Sequence, residues 1–310
     1  MTGTPDFLDH QRPAVPDLVV PRGVTGFYLR GRPVRGRLVR LGALAEVLLD
    51  RHDNPDPIKA LTGEAMALAA ALAAGLKFHG SFSVQAKGDG PVTLLIADCT
   101  DSGALRGYAK YDPERLDGYD SDAASLLGQG YMAFTVDQGQ ATDRYQGLVG
   151  IEGETLSEMA AHYFATSEQI PTHLHLTCRK TARGWRAGAL ILQRVAEHGG
   201  VDRDDLLDEE DAWETALALA ATLSDDELVD EAITPEQLLY RLFHSEEVCS
   251  ERPRALAYGC RCSRAHLSGI LAGFAEDDLA DMAEEGVITM TCEFCNLDFR
   301  FEKEDIRRPA

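Results

Sequence analysis

Apolar and polar positions alternate with a period of two in several short stretches of the first two-thirds of the chain. Residues 26–30, 81–86, 92–97, 132–136 and 173–178 read as strands, punctuated by glycine-rich turns such as KGDGP at 87–91. Helical periods interrupt them. An alanine-rich run after Thr62 predicts a helix with Thr62 as its N-cap and a stop near Gly75. Thr155 and Glu158 make a T-x-x-E capping box, predicting a helix to about Thr166, and Pro171 turns the chain out into a strand. The class is α+β, with a mixed β-sheet and helices over residues 1–195. The pattern leaves strand order open.

From 196 to 248 the period becomes helical, after a break at Glu197-His198-Gly199-Gly200. Trp213, Leu217 and Leu223 recur at roughly helical spacing. Ser224 with Glu227 makes a second capping box, and Thr234-Pro235 with Gln237 marks a third helix start. Composition sharpens this division. The chain carries 30 basic and 51 acidic residues, a net charge of −21. Residues 1–195 hold only −2 of it, 196–250 hold −15 and 251–310 hold −4. Carboxylates this dense repel one another, so these helices need a surface to dock on. A solvated acidic face and a region built to unfold are both compatible with the pattern. Arginines 30, 32, 35, 37 and 40 form a basic patch, read as a solvated surface or as a partner for the acidic segment.

The charge balance argues against nucleic acid and against anionic membrane surfaces as partners. At 310 residues with 45% hydrophobic content, two globular domains are expected. No basic segment followed by an apolar one opens the chain, and no run reads as the roughly 18–20 apolar residues of a span. A cytosolic location follows as the expectation.

Seven cysteines are present, and four crowd the last 51 residues: Cys260, Cys262, Cys292 and Cys295. C-x-C and C-x-x-C pairs separated by 29 residues supply the four thiolates of a tetrahedral zinc site. The gap predicts helices at 263–271 and 275–285, then a hairpin from VITMTC and LDFRFE around the second pair. This makes 249–310 a small helix–hairpin domain with few large apolar residues, the kind that needs a metal to fold. Four thiolates leave no open position for water, so hydrolytic catalysis is not expected. His266, one turn beyond Cys262, reads as a surface residue. Cys99 and Cys178 sit in strand-like runs and read as buried core; Cys249 stands apart from the motif. His173 and His175 share a strand face without further ligands. Each cysteine pair is close enough to be joined by an oxidant, which would remove two metal ligands at once.

GCRCSRAHL and MTCEFCNLDFRFEKEDI resemble the zinc centre of the 33-kilodalton redox-regulated heat-shock chaperone family. FYLRGRPVRGRLVRLG, VQAKGDGPVTLLIAD, LRGYAKYD, LLGQGYMAFTVDQG and YFATSEQIPTHLHL resemble its N-terminal domain, and TPEQLLYRLFH its linker. The resemblance implies an N-terminal domain at 1–195, an acidic helical linker at 196–248 and a zinc-binding redox switch at 249–310. It implies one Zn2+ per chain on Cys260, Cys262, Cys292 and Cys295. It further implies that oxidation forms Cys260–Cys262 and Cys292–Cys295 disulfides, releases zinc and unfolds the tail and linker. Client proteins would then be held, often by a homodimer, without ATP. No G-x-x-x-x-G-K-[ST] loop occurs in the sequence. Trp213, Leu217, Leu238, Leu239 and Leu242 are the candidate client-binding residues, and ordinary packing is the other reading of the same stripes. A constitutive zinc-ribbon adaptor and a thiol oxidoreductase using Cys292-Glu293-Phe294-Cys295 are the alternative functions. The second is disfavoured, because that motif follows a hairpin and does not open a helix.

Overall fold

A computed structural model describes residues 16–116, 118, 120–138, 145–195, 203–302 and 306. The expected chain break at 197–200 lies outside them. In chain order the first unit runs through β1 (Val19–Leu29), β2 (Val34–Arg40), α1 (Ala43–Leu49), α2 (Asp56–Gly75), β3 (Ser81–Gly88), β4 (Val92–Thr100) and β5 (Ala104–Tyr111). It continues with α3 (Pro113–Leu116), α4 (Ala123–Leu127), β6 (Gly130–Asp137), β7 (Tyr145–Gly150), α5 (Leu156–Tyr163) with a π-helical turn over Phe164–Glu168, β8 (Thr172–Thr181) and β9 (Gly184–Arg194). The acidic segment forms α6 (Arg203–Ala220), α7 (Asp225–Val229) and α8 (Pro235–Phe243), followed by β10 (Val248–Ser250) and β11 (Arg254–Tyr258). Asp17–Gly259 form one compact unit, and the chain from Cys260 onward falls in another.

The strands of the first unit join one sheet in the order β7-β6-β3-β4-β5-β11-β1-β2-β9-β8, with β10 also paired to β1. Neighbours are antiparallel except β11, which lies parallel to β5. Thus residues 248–258 belong to the sheet of this unit by backbone pairing.

Helix α2 is the centre of the larger core. Every residue from Leu61 to Ala73 except Glu64 is buried, so it is apolar on all sides, as a fully enclosed helix should be. Its 20 residues are long and apolar enough to cross a membrane by composition, which corrects the expectation that no run qualifies. Burial inside the protein accounts for that composition. The predicted N-cap at Thr62 is also corrected. The helix starts at Asp56, with prolines flanking it at 55 and 57, and Thr62 is a buried mid-helix residue whose hydroxyl donates to Ile58 O at 2.7 Å. Gly63 is where α2 presses on β8: a Cβ there would overlap the Cys178 sulfur. The capping boxes at Thr155, Ser224 and Thr234 form with both reciprocal hydrogen bonds.

The opposite sheet face has its own core. Phe27, Leu29, Val34, Leu38, Leu190 and Leu192 from β1, β2 and β9 meet Leu228, Leu238, Leu239, Leu242 and Phe243 from the acidic helices. Phe27 and Phe243 stack with centroids 5.4 Å apart. The basic patch is not a solvated surface at its inner end. Arg40 is buried and donates from Nε to Leu228 O and from Nη2 to Glu227 O, both at 2.7 Å, and from Nη1 to Ile233 O. A cation thus meets the last carbonyls of α7, where orphan acceptors and the helix dipole both favour it. Around it Arg179 pairs with Asp226 (2.6 Å), Arg186 with Glu231 (3.2 Å), Arg22 with Glu236 (2.8 Å), and His175 bonds Asp225 (2.8 Å).

Replacing Arg40 by methionine leaves three carbonyls without this donor. It is expected to destabilise the docked helices by about 2–4 kcal/mol, seen as faster amide exchange over 203–243 than over β3–β5. A second prediction concerns Glu64, the polar exception on α2. Burial, then the Asp225 charge, raises its pKa from the ordinary carboxylate value to about 8. The folded state therefore binds a proton that the unfolded state has released, and stability falls as pH rises from about 4.5 to about 8. Glu64→Gln is expected to flatten that slope in urea melts across this window and to be the more stable form at its upper end.

Candidate metal centre

Cys260 and Cys262 lie in the short connection between β11 and α9 (Arg264–Leu271). Ser263 caps this helix by accepting from the His266 N–H at 3.1 Å, which fixes the chain direction just after Cys262. Next come α10 (Glu276–Met282), β12 (Val287–Thr291) and β13 (Asp298–Glu302). The two strands pair antiparallel, with Thr291 opposite Asp298. Cys292 and Cys295 occupy the turn between them. The Cys292 N–H donates to Leu297 O (3.0 Å) and the Asn296 N–H to Cys292 O (2.7 Å). Asn296 takes a φ of 52°, a left-handed conformation that asparagine adopts more readily than most residues. The Thr291 hydroxyl closes the turn on the Asp298 carboxylate at 2.6 Å.

These local constraints bring four sulfurs from the two ends of the segment together. Sγ–Sγ distances are 3.4 Å for Cys260–Cys262, 3.6 Å for Cys260–Cys292 and 3.4 Å for Cys262–Cys295, and all four lie within 4.8 Å of one another. Zinc–sulfur bonds of about 2.3 Å place tetrahedral sulfurs about 3.8 Å apart. The cluster therefore fits a zinc ion in donor type, number and spacing. Three of the cysteines are buried and Cys292 is half-buried.

The thiols by themselves divide their protons unequally. Contact with the Cys262 sulfur lowers the Cys260 pKa to about 7. Bonds from Cys260 and the other thiols lower that of Cys292. Cys262 and Cys295 are raised by the same sulfur contacts. A divalent cation would remove this competition by favouring the thiolate at every position.

The surrounding core is slight. Among the described residues, Leu271, Leu279, Ile288, Phe299, Phe301 and Ile306 are its buried apolar side chains besides the cysteines. The Arg264 guanidinium lies over the Phe301 ring at 4.6 Å and donates to Arg300 O at 2.6 Å. So few contacts leave room for a metal to matter to folding.

The other candidates fall elsewhere. His266 is exposed and does not join the sulfur cluster. Cys99 and Cys178 are buried, and burial pushes the Cys178 thiol up. Cys249 is half-buried in β10, with Arg30 Nη2 at 3.5 Å from its sulfur. His173 is lowered by burial and then by His175, and the pair gathers no metal-binding group among the described residues. Leu238, Leu239 and Leu242 are buried in the second core, while Trp213 and Leu217 are half-buried along α6. Sequence reasoning placed Arg40 only within a basic patch and did not single out Glu64. An arginine inside the apolar run VRGRLVRLG and a glutamate inside an alanine-rich helix were the available signals.

The family model described as Hsp33 protein matches residues 23–302. The 33 kDa chaperonin of Caulobacter vibrioides is 41% identical over 289 residues, covering 90% of this chain and 94% of that protein. The 33 kDa chaperonin of Ectopseudomonas mendocina is 37% identical over 88% of this chain and 90% of its own. A crystal structure of the 33 kDa chaperonin (heat shock protein 33 homolog) from Thermotoga maritima aligns with a TM-score of 0.75, over 92% of this chain and 96% of that one. At 23% identity it attests the fold. With a family match spanning both the sheet unit and the cysteine segment, this chain belongs to the Hsp33 family.

Proposed function

We propose that this protein is a cytoplasmic, ATP-independent holdase that oxidation switches on. The observation that carries the reading is the meeting of Cys260, Cys262, Cys292 and Cys295 within one 4.8 Å cluster in a segment with little other core. Membership of a chaperone family supports it. One bound Zn2+ would hold the four sulfurs as thiolates and supply most of the stability of the segment, on the order of 10–16 kcal/mol. In that reduced form the chaperone is inactive.

Peroxide takes two electrons from each cysteine pair, forming one S–S bond and, with two protons, two waters. Joining either pair removes two of four donors, so the metal is lost and the tail unfolds. The Cys262–Cys295 sulfurs, across the pairs, are as close as Cys260–Cys262 within one, both 3.4 Å. Support for Cys260–Cys262 and Cys292–Cys295 as the product disulfides therefore comes from the family resemblance. We assign residues 196–248 as a linker that loses structure with the tail. Its stripe of Trp213, Leu217, Leu238, Leu239 and Leu242 then binds unfolding clients, in a homodimer. The packing of Leu238, Leu239 and Leu242 against β1, β2 and β9 supports the inactive state, because a buried stripe cannot bind a client.

Light scattering from a heat-unfolding client tests the switch, with zinc release followed by a chromogenic chelator. Reduced, zinc-loaded protein is expected to protect little. Peroxide at mild heat is expected to release about one zinc per chain and suppress aggregation. Equal protection in both states would favour a constitutive adaptor. Cys292→Ser is expected to abolish tight zinc binding and to unfold the tail even under reducing conditions, read by loss of amide protection over 260–302. Trp213→Gln with Leu217→Gln is expected to reduce protection by the oxidised form at unchanged zinc release.

A further inference from the structure

The other arginine of the patch that turns inward, Arg37, faces the opposite side of the sheet from Arg40. Strand β2 alternates, so Val34 and Leu38 meet the acidic helices while Arg37 reaches the C-terminal end of α2. There it borders a cavity of about 250 Å3. Its lining is drawn from α2, β3, β6, β7, α5, β2 and β9. Its walls are apolar and mostly aromatic: Leu72, Phe82, Phe134, Val136, Tyr163 and Phe164. Phe134 and Tyr163 stack at 4.0 Å, with Phe164 edge-on to Tyr163 at 5.3 Å. Leu76 and Tyr145, both exposed, stand at its mouth.

Two charged groups border this apolar space. Glu168 accepts from the Tyr145 hydroxyl at 3.0 Å and from the Tyr163 hydroxyl at 2.5 Å, so its charge is already dispersed. Arg37 is not so provided. Its Nη2 donates to Gln193 Oε1 at 2.5 Å, and its buried Nε has no hydrogen-bond partner. No carboxylate forms an ion pair with it among the described residues. Glu251 acts on it only at longer range and is opposed by Arg254, and burial lowers its pKa to about 10. The end of α2 offers it only a partial negative charge. The guanidinium lies directly against Gly75, where a Cβ would displace it. A half-buried cation whose buried Nε is unbonded is costly, and an anion seated beside it gains a charge-assisted, directional contact.

We propose that this cavity is a binding site for a small apolar monocarboxylate. Its carboxylate sits on Arg37, and its aromatic or short aliphatic body lies among Phe82, Phe134 and Tyr163. The charge of Glu168 sets the orientation by repelling the carboxylate from that side. The site lies entirely within the sheet unit and is independent of the cysteine cluster.

The test uses the full-length reduced protein and two probes of matched shape, 3-phenylpropionate and 3-phenyl-1-propanol, titrated by calorimetry and by chemical-shift mapping. The carboxylate is expected to bind saturably and about tenfold more tightly than the alcohol, the worth of one charge-assisted contact. Shifts should centre on residues 72–76, 134–136 and 163–170. Arg37→Met is expected to bring the acid down to the level of the alcohol without changing the alcohol. Leu76→Trp, at the exposed mouth, is expected to weaken both probes, and it carries the test should Arg37→Met fail to fold. Equal affinity for acid and alcohol, acid binding unchanged in either variant, shifts centred elsewhere, or no saturable binding would each overturn the proposal.

Discussion

Strands β1, β2 and β9 contribute apolar side chains to cores on both faces of the sheet, and that constraint shapes the rest of the molecule. One face of this patch closes over α2; the other, carrying Phe27, Leu38, Leu190 and Leu192, has to be covered by something else. A sheet with helices on one side only would leave an exposed apolar surface of the kind that recruits other chains. The cover is supplied by the most acidic part of the sequence, with a net charge of −15 over 196–250. Such a cover is a compromise. Its leucines favour docking while its carboxylates repel one another, and the balance depends on the cations that receive it.

Those cations are few and specifically placed. Arg40 binds backbone carbonyls and not carboxylates, so it recognises the helical shape of α7 and not merely its charge. Arg22 and Arg179 neutralise single acidic residues at the rim, where screening keeps each pair worth little, whereas Arg186 is buried and pairs with Glu231. The cover is therefore held mainly by apolar burial and two buried guanidiniums, Arg40 and Arg186. Segments balanced in this way sit at the low-stability end of a fold, where local opening is cheapest.

What was legible in the sequence follows from how local the responsible physics is. The capping boxes at Thr155, Ser224 and Thr234 involve four consecutive residues, and each formed as read. The meeting of four cysteines was legible because metal coordination dictates both residue type and spacing. Thr62 misled because a threonine that bonds back to Ile58 O within a helix looks the same in sequence as one that caps it. The true start was marked by the prolines at 55 and 57. Strand β9 could not be found by alternation, since Ala187–Leu192 are buried on both faces. The parallel pairing of β11 with β5 joins residues about 150 positions apart in sequence, a relation no local pattern encodes.

The two arginines of β2 show how one strand can serve two environments. Arg37 and Arg40 are three residues apart, so the pleat sends them to opposite faces. In sequence they belong to one basic patch, and composition gave no reason to separate them. In the fold Arg40 is saturated by three carbonyls, whereas Arg37 keeps an unbonded Nε beside an aromatic cavity. A buried cation with all its partners is a structural device. One that lacks a partner and lies next to open apolar space costs stability unless something binds there, and this asymmetry separates a clamp from a site.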